Sequence, residues 1–157
     1  PGTFAFGIEQ VALDSAIAEQ HRQKVRIQSQ AILGAAIAHR GRPGGARVLV
    51  LASGGAADVR MIQDDLVRLG TKIVLVDQDA EALAFALERV PRLAGNVTTI
   101  CRNVLRGLVA VRAHGPFDLV VAGGLFDYLP DQFASRLLEQ VRARLLTTSG
   151  QVLFTNV

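Results

Sequence analysis

The chain has a single cysteine, Cys101, a single tyrosine and no tryptophan, and only 5% of its 157 residues are aromatic. A lone cysteine excludes an intrachain disulfide and fits a reducing, cytoplasmic setting. Scarce aromatics leave the core to Ala, Val, Leu and Ile, the residues of parallel strands covered by helices. No run reaches the roughly 18 uninterrupted apolar residues that a membrane span needs. No charged segment followed by an apolar stretch opens the chain, so no signal peptide is read, and the missing initial Met suggests an absent native start. No Lys/Arg run interleaved with aromatics occurs. The formal charge of +3 is mild, which argues against a nucleic-acid partner. No metal site is read from the residues.

Half of the residues are hydrophobic and a fifth are charged, the balance of a folded chain with a sizeable core. Residues 8–38 read as helix in two pieces, with apolar residues at helical spacing on either side of a polar stretch from Glu19 to Lys24. That stretch is either a solvated face or part of a lid that lends polar groups to a pocket. Gly41-Arg42-Pro43-Gly44-Gly45 is a linker. It divides a helical extension or lid, residues 1–40, from a second unit, 41–157. Strands are predicted at 47–51, 72–76, 97–101, 117–122 and 151–155, and helices at 57–69, 80–89, 104–113 and 131–146. Gly70 and Gly115 stand where helix C-terminal caps belong, and Asp79 where an N-cap belongs. This alternation argues an α/β fold with a parallel sheet and right-handed crossovers.

Chemistry concentrates at three strand ends. The run Val48–Leu51 enters a turn of small residues, Ala52-Ser53-Gly54-Gly55-Ala56-Ala57, where a ligand can approach the backbone. The next buried strand ends in Asp77, placed to accept hydrogen bonds from both ribose hydroxyls of a nucleoside cofactor. Asn103 follows the third strand, and its side-chain oxygen suits an adenine amino group or a helix N-cap. The fourth strand ends in Gly123 and Gly124, followed by Leu125 and then Phe126, Asp127 and Tyr128, which face the reacting group or, for Phe126 and Leu129, anchor the loop. His39 and His114 are expected at the surface.

The turn admits two cofactor classes. A dinucleotide turn reads G-x-G-x-x-G/A, and this one matches with Ala52 in the first place. A methyltransferase turn reads acid-x-G-x-G-x-G, of which Gly54 is retained. In order, VLVLASGGAADV, KIVLVDQDAEALAFA, ICRNVL, FDLVVAGGLFDYLP and GQVLFTNV resemble the class I S-adenosylmethionine-dependent methyltransferases over about two thirds of the chain. The turn and AGGLFDYLP also resemble a bacterial subgroup near the synthases of 3-hydroxy fatty acid methyl esters.

The resemblance implies a doubly wound, mostly parallel Rossmann-like sheet of order 3-2-1-4-5 with strands six and seven missing, so the domain is expected to be C-terminally incomplete. It implies S-adenosylmethionine as cofactor. Ala52, Ser53 and Gly54 then lie against its methionine moiety, Asp77 binds the ribose, Gln78, Asn103 and Val104 lie at the adenine, and Gly123, with Leu125, lies near the methionine amino end and the transferred methyl. Three positions depart from the pattern: Val50 stands where the family has an acid for the methionine ammonium, and Ala52 and Ala56 replace glycines. A fifth strand left at the edge is expected to expose Val152, Leu153 and Phe154.

The expected reaction is methyl transfer to a small-molecule or lipid-acid acceptor. Asp127 and Tyr128 are the catalytic candidates and His21 a distant third. A homo-oligomer is an open possibility. The alternatives are a methyltransferase-like binding or scaffold domain without catalysis, and a nicotinamide-dinucleotide-binding domain.

Overall fold

Runs rich in Val, Ile and Leu form parallel strands here because residues alternate between the two faces of a strand and both faces of this sheet are covered. The computed structural model describes residues 16–155. Its elements in chain order are α1 (Ala16–Ala38), β1 (Arg47–Leu51), α2 (Ala57–Met61), α3 (Gln63–Arg68), β2 (Lys72–Asp77), α4 (Ala80–Arg89), β3 (Val97–Cys101), α5 (Val104–Arg112), β4 (Phe117–Gly123), α6 (Asp131–Arg144) and β5 (Leu146–Thr155). Single 3₁₀ turns occupy Pro91–Leu93 and Phe126–Tyr128.

The strands lie in the order β3-β2-β1-β4-β5, all parallel, so the expected sheet order is the observed one. Alternate residues of β1 serve opposite layers. Val48 and Val50 pack with Ile73, Leu75 and Val121 against Ile32 and Ala36 of α1, Val59, Leu66 and Leu83. Leu49 and Leu51 pack with Val74, Val76 and Val120 against Leu108 of α5 and Leu137 and Val141 of α6. The chain moves outward from β1 through β2 to β3, then returns to the other side of β1 as β4. The carboxyl ends of β1 and β4 therefore flank the point where the strand order reverses, the place where open α/β sheets form a crevice.

Several expectations are corrected. No break falls between the two expected pieces within the described residues, where Ala16–Ala38 is one continuous helix; residues 8–15 of the expectation lie outside the described residues. The helix expected at 57–69 is broken at Ile62, whose φ of −125° is not helical; Val59 and Leu66, on either side, are both fully buried. The last helix stops at Arg144, because Leu146 already pairs with Phe117. β5 then bulges, since Leu119 next pairs with Gln151, so the strand begins five residues before the predicted 151. Gly70 takes the left-handed cap conformation at φ 65°, but Gly115 does not, and instead precedes a cis peptide to Pro116. β5 is an edge strand, yet of Val152, Leu153 and Phe154 only Phe154 is exposed, because Val152 and Leu153 pack against the two core layers. No helix among the described residues is long and apolar enough to cross a membrane.

The linker before β1 is fastened by a buried acid. Arg42 forks onto Asp118 of β4, its Nη1 donating to Oδ1 at 2.9 Å and its Nη2 to Oδ2. The Arg47 backbone N–H donates to Oδ2 at 2.8 Å, and His39 Nε2 lies 3.3 Å from Oδ1. His39 is thus not a plain surface residue: the linker folds its ring onto β4, where its Nδ1 also meets the Ala35 carbonyl at 2.9 Å. His114 is exposed. Burial alone raises the Asp118 pKa, but the hydrogen bonds from Arg42 and Arg47 and the nearby positive charges outweigh it and hold the carboxyl below its ordinary 3.8. An acid depressed in the folded state stabilises above its unfolded pKa, and the contribution is lost as pH falls through the folded value. Asp118→Asn is expected to cost about 2 kcal/mol in urea unfolding at pH 7, and the difference from the parent chain should shrink as the pH falls below about 4.

Candidate functional site

β1 ends one residue short of Ala52, and the register that sets Leu51 beside Val76 brings the following turn to the tip of β2. The turn alternates its handedness. Ala52 (φ 51°), Gly54 (φ 49°) and Ala56 (φ 48°) are left-handed, the three places where a G-x-G-x-G turn has glycine. In an alanine this conformation costs about 1–2 kcal/mol. Ser53 donates its N–H to the Val76 carbonyl at 3.1 Å, and Gly54 donates its own to Asp77 Oδ2 at 2.8 Å. The other Asp77 oxygen accepts the Asp79 N–H at 3.0 Å. Asp79 caps α4 as expected, its Oδ1 accepting from Glu81 and Ala82 N–H groups.

Beyond β2, Asn103 Nδ2 donates to Gln78 Oε1 at 3.2 Å while its Oδ1 accepts the Leu105 N–H at 3.1 Å. Asn103 therefore is a helix N-cap and at the same time lies beside Gln78, and each side-chain oxygen keeps a second lone pair. Across the sheet, a side-chain carbon on Gly123 would collide with the Gln28 amide of α1. Lys24 Nζ lies 3.6 Å from Asp127 Oδ2 and joins α1 to the loop after β4. Phe126 anchors that loop against Phe154, ring centroids 5.1 Å apart, whereas Tyr128 is 86% exposed.

Between these groups lies a cavity of about 770 Å³, within the range of small-molecule and cofactor sites. It gathers Ala52, Ser53, Gly54, Asp77, Gln78, Asn103, Val104, Gly123, Asp127 and Tyr128 around one space. Ser53 Oγ is buried without a hydrogen-bond partner. That orphaned hydroxyl and the spare lone pairs of Asp77 suit a polar, hydroxyl-bearing ligand.

Sequence reasoning left one wall undecided, reading Glu19 to Lys24 as a solvated face or part of a lid and naming His21 only as a distant third candidate. His21, Lys24, Val25 and Gln28 of α1 line the cavity, a stripe at i, i+3, i+4 and i+7. The signal was present as a buried-side glutamine, Gln28, in register with polar residues one and two turns earlier. Sequence reasoning did miss Asp58, which lines the cavity at 4% exposure with its carboxyl pushed up by burial. Among the described residues, no group of His, Cys, Asp and Glu has a metal-holding arrangement.

No family model matches the chain, and no curated protein matches its sequence. Solved structures do match. An S-adenosylmethionine-dependent methyltransferase from Thiobacillus denitrificans, in complex with S-adenosyl-L-homocysteine, is 24% identical over 80% of this chain and 46% of its own, with a TM-score of 0.54. A TehB-like S-adenosylmethionine-dependent methyltransferase from Corynebacterium glutamicum is 20% identical over 88% of this chain and 72% of its own, also at 0.54. A chain of a fibrillarin/Nop5p complex is 18% identical over 82% of this chain and 59% of its own, at 0.56. The chain thus spans less than two thirds of two of these three proteins. The fold is the Rossmann-like fold of the class I methyltransferases.

The left-handed alanines give a direct test. Ala52→Gly removes the steric cost of φ 51° and adds the greater unfolded-state freedom of glycine, leaving a net gain of about 0.5–1 kcal/mol. Thermal unfolding of the variant is expected to show a higher midpoint; a lower one contradicts the strain.

Proposed function

We propose that this chain is the S-adenosylmethionine-binding part of a methyltransferase. The observation that carries the reading is the bond from the Gly54 N–H to Asp77 at the mouth of a cofactor-sized cavity. In the proposed arrangement Asp77 holds the ribose hydroxyls. Gln78, Asn103 and Val104 meet the adenine, and Ala52, Ser53, Gly54 and Gly123 border the methionine moiety. When bound, the cofactor supplies an electrophilic sulfonium methyl, and the residues contribute proximity and orientation for an in-line attack.

The acceptor is proposed to be a small molecule or lipid acid that arrives already ionised. Asp127 is engaged by Lys24 at 3.6 Å and Tyr128 stands largely in solvent, so neither is placed as a general base. A carboxylate acceptor asks for no general base. Val25, Leu125 and Leu129 give the same cavity an apolar side suited to a hydrocarbon portion. This acceptor class agrees with the resemblance of AGGLFDYLP to the bacterial hydroxy fatty acid subgroup. The helical segment before residue 41 is proposed to act as the lid over the acceptor side, with residues 41–157 as the cofactor-binding unit. A cytoplasmic location belongs to the same proposal, in keeping with the single free cysteine.

A catalytically silent binding domain is the second reading, favoured by the buried Val50 at the end of β1 where an acid is absent. Isothermal titration with S-adenosylhomocysteine is expected to give saturable binding, and Asp77→Asn to weaken it about tenfold or more. No heat of binding at millimolar ligand overturns the adenosyl reading. Binding without methylation of any ionised acceptor favours the silent domain.

A further inference from the structure

Three carboxylates line the cavity, and two of them have partners suited to an ionised acid. Asp77 accepts the N–H groups of Gly54 and Asp79, and Asp127 faces Lys24. Asp58 differs. It is 4% exposed, its Oδ1 accepts the N–H of its own neighbour Val59 at 2.9 Å, and among the described residues no Lys, Arg or His pairs with it. A buried charge without a counter-charge is costly, and a cationic group of a ligand removes that cost.

The place of Asp58 says which end of a ligand it meets. Ser29 Oγ of α1 donates to the Asp58 carbonyl at 2.9 Å, and the adjacent Gln28 lies against Gly123. Asp58 thus belongs to the side of the cavity formed by α1 and β4. Gln78 and Asn103 stand on the far side, at the ends of β2 and β3. We infer that Asp58 receives the α-ammonium of the amino-acid end of the cofactor, a positioning role that rests on the adenosyl reading above. The sulfonium is the poorer partner. It has no N–H to donate, and a carboxylate set against its methyl would itself compete as the nucleophile. An ammonium offers three donors to the carboxylate.

The test compares S-adenosylhomocysteine with its analogue lacking the α-amino group, titrated into the parent chain and into Asp58→Asn. The parent chain is expected to prefer the amino-bearing ligand by about tenfold or more, and the variant to bind both about equally. The deamino analogue should bind parent and variant within about twofold, which excludes general damage to the site. Equal affinities of the two ligands for the parent chain overturn the assignment whether or not the variant folds. An undiminished preference in Asp58→Asn overturns it as well. Failure of both ligands to bind the parent chain overturns the adenosyl reading and the assignment with it, whereas binding without discrimination sinks the assignment alone.

Discussion

The Gly54 N–H to Asp77 carboxylate bond sets the geometry of the whole crevice. It is possible because β1 and β2 are parallel and in a register that places Leu51 beside Val76. Both strands then end at the same rim, and the turn leaving one meets the tip of the other. Gly54 is left-handed, and its N–H meets the tip of β2 at Asp77. One carboxylate oxygen is fixed to the turn and the other to the start of α4. Both oxygens of a cavity-lining carboxylate are thereby held by backbone N–H groups before any ligand arrives.

Much of this was legible because it is local. The apolar runs at 48–51 and 73–76 are too regular to be anything but buried strands, and Asp79 announces the start of α4 two residues after the strand ends. The three strand-end clusters were legible for the same reason, since parallel strands deliver their carboxyl ends to one edge. What escaped depended on tertiary partners. Ile62 has no local signal for a break, yet its φ of −125° interrupts the helix between the buried Val59 and Leu66. The bulge in β5 follows from pairing with Phe117, a residue about thirty positions away in sequence. His39 reads as a helix-end surface residue until the linker folds it onto Asp118.

The wall that the sequence left undecided has the same origin. Glu19 to Lys24 is polar on every face, so periodicity alone could not choose which side meets the sheet. The choice is made further along the helix. Ile32 and Ala36 are fully buried against β1 and β4, and because the helix is continuous their azimuth fixes that of Gln28, Lys24 and His21 one, two and three turns earlier. A core contact thus determines a functional face. The sequence shows the stripe only once its buried end is known.

The alanines of the turn show how a departure from a pattern can retain its geometry. At Ala52 and Ala56 the backbone keeps the left-handed conformation that glycine adopts freely, although each methyl costs energy there. Ala56 offsets some of that cost by burying its methyl completely among Val59, Leu83 and their neighbours. Ala52 is only half-buried and has no such compensation. Strain that the surrounding core does not reward persists where the conformation itself is needed. Here that conformation carries the Ser53 and Gly54 N–H groups to β2. A turn with no role beyond joining β1 to α2 would have relaxed, and its persistence argues that the shape of this rim is what the chain maintains.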